Sequence, residues 1–213
     1  MNSNQWLDIS IAISAETPVW PGDPSPIITA LATHEAGDGY HLSEAFLGLH
    51  TGTHIDAPLH FIPGGKDITA IAVEKMLGPA RVLDATGIDC ITAEWLTLKN
   101  IRKGERLLFK TIPDDSSRTA YQRKEHFNAL DISAAVLLSG YEIQLVGIDG
   151  LSIAIGSQLK EVHVELLSKE IVIIENICLL KVEEGEYDLL CLPLKIQGAE
   201  AAPARVFLKK ADQ

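Results

Sequence analysis

His50-Thr-Gly-Thr-His54-Ile-Asp56-Ala-Pro-Leu-His60 gathers three of the chain's seven histidines and one aspartate into a single short stretch. All four stand at even positions. Side chains two and four apart along an extended chain share one face. His54 and Asp56 therefore look the same way, with His50 and His60 on that side. Imidazole and carboxylate together make a ligand set for zinc or manganese. Gly52 and Pro58 argue against a helix carrying these ligands. A straight strand also fails, because at about 3.3 Å per residue it would hold His50 and His54 roughly 13 Å apart. Two ligands of one ion each lie only about 2 Å from it. The stretch must bend at Gly52 and again near Pro58. The plainer alternative is a polar turn with solvated or hydrogen-bonded histidines, and the density and phase of the cluster weigh against it.

Other residues could complete such a site. Glu175 interrupts the aliphatic run Ile171-Val-Ile-Ile-Glu175-Asn-Ile177. A carboxylate in an apolar strand is costly unless it is paired, metal-bound or turned to solvent. His163 sits in Glu161-Val-His163-Val-Glu165, where local sequence favours an ordinary surface histidine. Asp149 ends a strand, a favoured place for functional groups in α/β folds, although a turn or cap explains it equally. Trp20 lies in Thr17-Pro-Val-Trp20-Pro-Gly-Asp23-Pro24, either as a stacking wall for a flat substrate or packed beneath its loop. His34, His41 and His126 lack ligand-like company and read as surface or structural. Gly150-Leu-Ser152-Ile-Ala154 only approaches the serine-hydrolase elbow, with no triad order behind it. Gly64-Gly65 lacks a phosphate-loop pattern.

The elements that must position these groups alternate between strands and helices. Strands are expected at Trp6 to Ile13, Glu44 to Leu49 (leading into the cluster), Ala80 to Asp84, Arg106 to Lys110, Ile143 to Ile148, Ile171 to Ile177, Asp188 to Leu192 and Arg205 to Leu208. Thr92 and Asp131 read as helix caps, Gly140 as a helix end, and a further helix is expected around Gln158 to Leu167. Pro63-Gly-Gly65 is a turn and Pro113 to Arg118 a polar loop. The pattern is that of an α/β fold, a single domain over residues 1–213 with a mixed β-sheet and packed helices.

Composition narrows the function. A formal net charge of −11 argues against nucleic-acid backbones and anionic membranes as partners. No apolar run reaches spanning length, and the first residues lack a signal-peptide pattern. Cys90, Cys178 and Cys191 have no close pairing and point to packing residues in a reducing, cytoplasmic compartment.

The chain resembles the cyclase family of metal-dependent hydrolases, especially the bacterial kynurenine formamidases. The likeness rests on Trp6-Leu-Asp-Ile-Ser10, Trp20-Pro-Gly-Asp23, the His50-to-His60 cluster, Gly78-Pro-Ala-Arg81-Val, Gly147-Ile-Asp149, His163 with Ile174-Glu175-Asn176, and Gly185 to Leu194. It implies the family's swivelling β/β/α fold and two divalent ions per subunit; zinc is the first choice and manganese the second, although histidine and carboxylate ligands do not separate them. It implies His50, His54, Asp56, His163 and Glu175 as ligands, with Asp56 and Glu175 shared between the ions. It further implies His60 as the catalytic acid/base and Trp20 in the substrate pocket. The expected reaction is hydrolysis of N-formylkynurenine, with a small-molecule amide as the partner and a homodimer or homotetramer as the assembly. Isatin-hydrolase-like members share the cluster, and Gly150-Leu151-Ser152 departs from the formamidases' usual Thr-Pro-Ser. Opening of a cyclic amide, or metal-dependent binding without turnover, are the competing functions.

Overall fold

The computed structural model describes residues 5–113 and 128–211. His126 and the loop expected beyond Pro113 lie outside the described residues. Ten strands are described: β1 (Leu7–Asp8), β2 (Ile27–Ala32), β3 (Leu42–Phe46), β4 (His54–Asp56), β5 (Leu77–Asp84), β6 (Arg106–Lys110), β7 (Leu145–Ile148), β8 (Val172–Glu175), β9 (Gly185–Pro193) and β10 (Ala201–Lys210). The described α-helices are α1 (Val73–Met76), α2 (Ala93–Thr97), α3 (Ile132–Gly140) and α4 (Leu159–Ser168).

Eight strands form one mixed sheet in the order β1-β10-β4-β8-β7-β6-β5-β9. Strands β5 to β8 run parallel. Parallel neighbours need long crossovers, and α2, α3 and α4 lie within those connections. Strand β9 pairs antiparallel with β5 on one side and with β10 on the other, so the sheet curls back on itself into a barrel-like arrangement.

Both faces of the parallel strands are buried, which explains their nearly continuous apolar runs. Leu107 and Phe109 of β6 and Ile173 of β8 belong to the core shared with Ala134 and Leu138 of α3 and Val162 and Leu166 of α4. Leu108 and Ile174, one residue out of phase, belong to a second core inside the curled sheet with Ile55, Val82 and Val206. Alternation therefore gives β4 and β8 a helix-facing side. Ile55 looks inward with Ile174, so His54, Asp56 and Glu175 look toward the helices.

The caps are as expected: Thr92 accepts from Trp95 N and Asp131 from Ala134 N. The opening strand is shorter than expected. Ile9 N still donates to Val206 O at 2.9 Å, and beyond it side-chain bonds take over, with Val206 N donating to Ser10 Oγ and Ile11 N to Thr53 Oγ1. Glu44 to Leu49 does not run as a strand into the histidine cluster. The strand there is Leu42–Phe46, paired with β2 in a separate two-stranded sheet, and the chain turns through residues 49–53 before β4 begins. Nearly every residue of that hairpin is exposed, Ile28, Leu31 and Phe46 included. Strand-to-strand pairing, without a core face, defines β2, which no expected strand covers. No described helix is long and apolar enough to cross a membrane.

Candidate metal centre

The site forms where β4, β8 and α4 meet. In the antiparallel β4–β8 register His54 stands directly opposite Glu175 and Asp56 opposite Ile173. Opposed residues share a face, so His54, Asp56 and Glu175 converge. Their side chains are almost fully buried, at 1%, 1% and 6% exposure. Helix α4 turns Val162, His163 and Leu166 inward, which buries His163 rather than leaving it on the surface. Both expected bends are present. Gly52 adopts φ +63°, a left-handed conformation that costs glycine little. Pro58 begins a single 3-10 turn ending at His60. The bends bring the His50 and His54 ring centres to 4.9 Å and those of His50 and His60 to 4.2 Å.

Two ligand groups result, His50/His54/Asp56 and Asp56/His163/Glu175, the ligand atoms of each within 4.8 Å of one another. Tetrahedral ligands at about 2.1 Å from an ion would be roughly 3.4 Å apart. His54 Nε2 lies 3.4 Å from both Asp56 Oδ1 and Glu175 Oε2. His163 Nε2 lies 3.2 Å from Glu175 Oε1 and 3.8 Å from Asp56 Oδ2. His50 Nδ1 comes within 3.0 Å of Asp56 Oδ1. His54 Nε2 and both Asp56 carboxylate oxygens are nevertheless buried without an aligned hydrogen bond. Buried polar atoms left unsatisfied in this way fit a bound cation.

The outer partners orient the donors. His54 Nδ1 faces the Gly52 carbonyl at 2.8 Å and His163 Nδ1 the Leu159 carbonyl at 2.7 Å. Each pairing turns Nε2 of its ring toward the carboxylates, the arrangement common among metal-bound histidines. His50 is turned the other way. Its Nδ1 faces Asp56, and its Nε2 lies 3.6 Å from the carboxylate of Glu200, a residue absent from the sequence expectations. Ser152 Oγ and Ile153 N donate to Glu175 Oε1 at 3.0 and 2.7 Å. Ser152, in the stretch that departs from the formamidase pattern, thus holds Glu175 in place. Asn176 turns the chain sharply at φ +58°, and its carbonyl accepts from Thr53 Oγ1 at 2.5 Å.

Electrostatics follow from this packing. Burial disfavours a charged His54, but the carboxylates of Asp56 and Glu175 beside it outweigh that and raise its pKa to about 10. Burial and the nearby Asp56 charge push Glu175 up, yet His163 and His54 bring it down to about 2. Burial likewise opposes an ionised Asp56, and the imidazoles of His50 and His54 hold it well below the usual carboxylate range. A raised histidine contributes stability that is complete below its unfolded value of 6.5 and lost as pH rises through about 10. A depressed glutamate contributes stability that is present above 4.5 and lost as pH falls through about 2. Metal-free protein should therefore lose thermal stability between pH 6.5 and 10. The rise in Tm on adding zinc should grow over the same range, because protons then compete less for the ligands. Paired melts of chelated and zinc-loaded protein check this, and a zinc increment that shrinks with pH would contradict it.

A cavity of about 210 Å³ opens above these groups, walled by Trp20, Phe61, Leu151 and Leu159 with His60 at its side. Phe61 touches both His60 and His163, with ring centres 4.3 and 4.6 Å away. Trp20 is partly buried against the helix-side core and also lines the cavity. Asp149 is not in the cavity lining. It accepts from Thr111 N, Thr111 Oγ1 and Ile112 N, tying the end of β6 to the end of β7. A larger groove of about 510 Å³ lies near β5, β6 and β9. Its Arg81, Arg102 and Arg106 are held by carboxylates or carbonyls, and it contains no ligand cluster, so the smaller cavity is the chemical one.

The sequence model of the cyclase family matches residues 7–154. The kynurenine formamidase of Bacillus cytotoxicus is 31% identical over 210 residues, covering 98% of this chain and 99% of that protein. A solved structure described as a predicted metal-dependent hydrolase from Bacillus stearothermophilus is 32% identical. It superposes with a TM-score of 0.82 over 97% of this chain and 98% of its own. An isatin hydrolase bound to the product analogue thioisatinate reaches a TM-score of 0.85 over 97% of this chain and 92% of its own. At 20% identity that likeness concerns the fold alone.

Proposed function

The chain belongs to the cyclase family, and from that premise we propose that it is a metal-dependent amidohydrolase of aryl formamides, converting N-formylkynurenine and water to kynurenine and formate. The observation that carries this is the pair of buried ligand groups sharing Asp56 beneath a cavity with an aromatic wall. The kynurenine formamidase activity of the relative that spans nearly the whole chain supports the choice of substrate.

His50, His54 and Asp56 would hold one divalent ion and Asp56, His163 and Glu175 a second. Glu175 faces His54 with one carboxylate oxygen and His163 with the other, so it would serve as a ligand shared between the two groups. Zinc is the first choice and manganese the second, since nitrogen and carboxylate donors accept either. When bound, such an ion lowers the pKa of water toward neutrality and polarises a carbonyl oxygen. His60 takes a proton from the attacking water and returns one to the departing aryl amine nitrogen. The new C–O bond makes formate as the formyl C–N bond breaks. Trp20 stacks on the aryl ring, and Phe61 packs its ring against that of His60.

Steady-state assays of metal-loaded protein test the substrate. The specificity constant should be higher for N-formylkynurenine than for isatin. Trp20→Ala should lose more on aryl than on alkyl formamides, since stacking contributes about 0.5–1.5 kcal/mol beyond burial. Faster turnover of isatin would transfer the reading to cyclic amides. Full metal content without turnover of either would mark a binding protein.

A further inference from the structure

Among the described residues, the charged groups lining the active cavity are the carboxylates of Glu175 and Asp23 together with the histidines, and no lysine or arginine is among them. Glu175 is committed to His54, His163, Ser152 and Ile153. Asp23 is not committed in this way. It is exposed at the mouth, and no described group bonds or pairs with its side chain.

Its placement is set by one turn. Asp23 N donates to Trp20 O at 2.9 Å, closing Trp20-Pro21-Gly22-Asp23. Gly22 has φ +100°, so this is a type II turn with proline and glycine in their preferred places. Such a turn brings its first and last Cα atoms within about 7 Å of each other. One rigid device therefore presents an indole and an unpaired carboxylate side by side over the cavity.

The geometry points to Asp23 as a specificity-determining residue that selects aryl formamides carrying an ammonium group on a short side chain. This inference rests on the proposed aryl-formamide activity and adds which member of that class is preferred. In N-formylkynurenine the ammonium nitrogen is four bonds from the ring, about 5 Å at ordinary bond lengths. That reach would let the ammonium of a ring stacked on Trp20 approach Asp23, whose Cα the turn holds within about 7 Å of the Trp20 Cα. Of the two carboxylates in the described lining, Glu175 is held by His54 and His163, which leaves Asp23 to meet the cation.

The test compares three substrates on zinc-loaded parent and Asp23→Asn proteins: N-formylkynurenine, its analogue with hydrogen in place of the ammonium, and formanilide. The parent should prefer N-formylkynurenine over the des-amino analogue by about tenfold in kcat/KM, the scale of one charge-assisted hydrogen bond. Asp23→Asn should collapse that ratio toward one through a higher KM, and Asp23→Glu should restore part of it. A ratio unchanged by Asp23→Asn, or an equal loss on all three substrates, would overturn the selective role while leaving the aryl-formamide activity standing. Absence of turnover on all three by the parent, formanilide included, would overturn the activity and this inference together.

Discussion

Protein carrying His54→Ala with Asp56→Ala is expected to emerge from purification without stoichiometric divalent metal, whereas the parent retains it. Asp56 belongs to both ligand groups, so its removal leaves neither with three donors. His54 is the donor that stands between the two carboxylates, 3.4 Å from each. What remains of the two groups is His163 with Glu175 on one side and His50 on the other, too few ligands for a closed structural or open catalytic site. The fold should survive, because the curled sheet is held by β9–β10 and β5–β9 pairing and by two apolar cores. Glu175 loses His54 in this variant but keeps His163, Ser152 Oγ and Ile153 N as partners. Elemental analysis of folded protein, verified by circular dichroism, decides the matter. Stoichiometric metal in the folded double variant would put the binding site elsewhere.

The second large effect separates chemistry from metal binding. His60→Ala should keep its metal and lose turnover by roughly 100-fold or more, the usual scale for a positioned acid–base group. His60 is in neither ligand group, yet its ring lies 4.2 Å from that of His50 and 6.0 Å from that of His163. Burial pushes its pKa below 6.5, against the pull of the Asp56 charge, so the imidazole is neutral and able to accept a proton near neutral pH. Activity of the parent should then fall on the acid side as His60 becomes protonated, with a midpoint below 6.5. That acid limb should be absent from the residual rate of His60→Ala. A near-normal rate with metal intact would remove His60 from the proton transfer.

The sequence alone determined the local half of this site. Alternation put His54 and Asp56 on one face, and both bends followed from Gly52, Pro58 and the short reach between ligands of one ion. The caps at Thr92 and Asp131 and the doubly buried strands were legible for the same reason: each is decided within a few residues. His163 and Glu175 entered through family resemblance, because their own neighbourhoods suggested a surface histidine and left the carboxylate's direction open. Tertiary structure alone decided that Glu175 stands opposite His54, a pairing across 121 positions set by antiparallel register. It alone placed Glu200 beside His50 and Asp23 at the mouth of the cavity. It made Asp149 a tie between strands, moved the strand near Glu44 into a separate hairpin, and closed the sheet through β9 and β10. Periodicity and capping are written into neighbouring residues, whereas register and closure depend on which distant strands bury their apolar faces together.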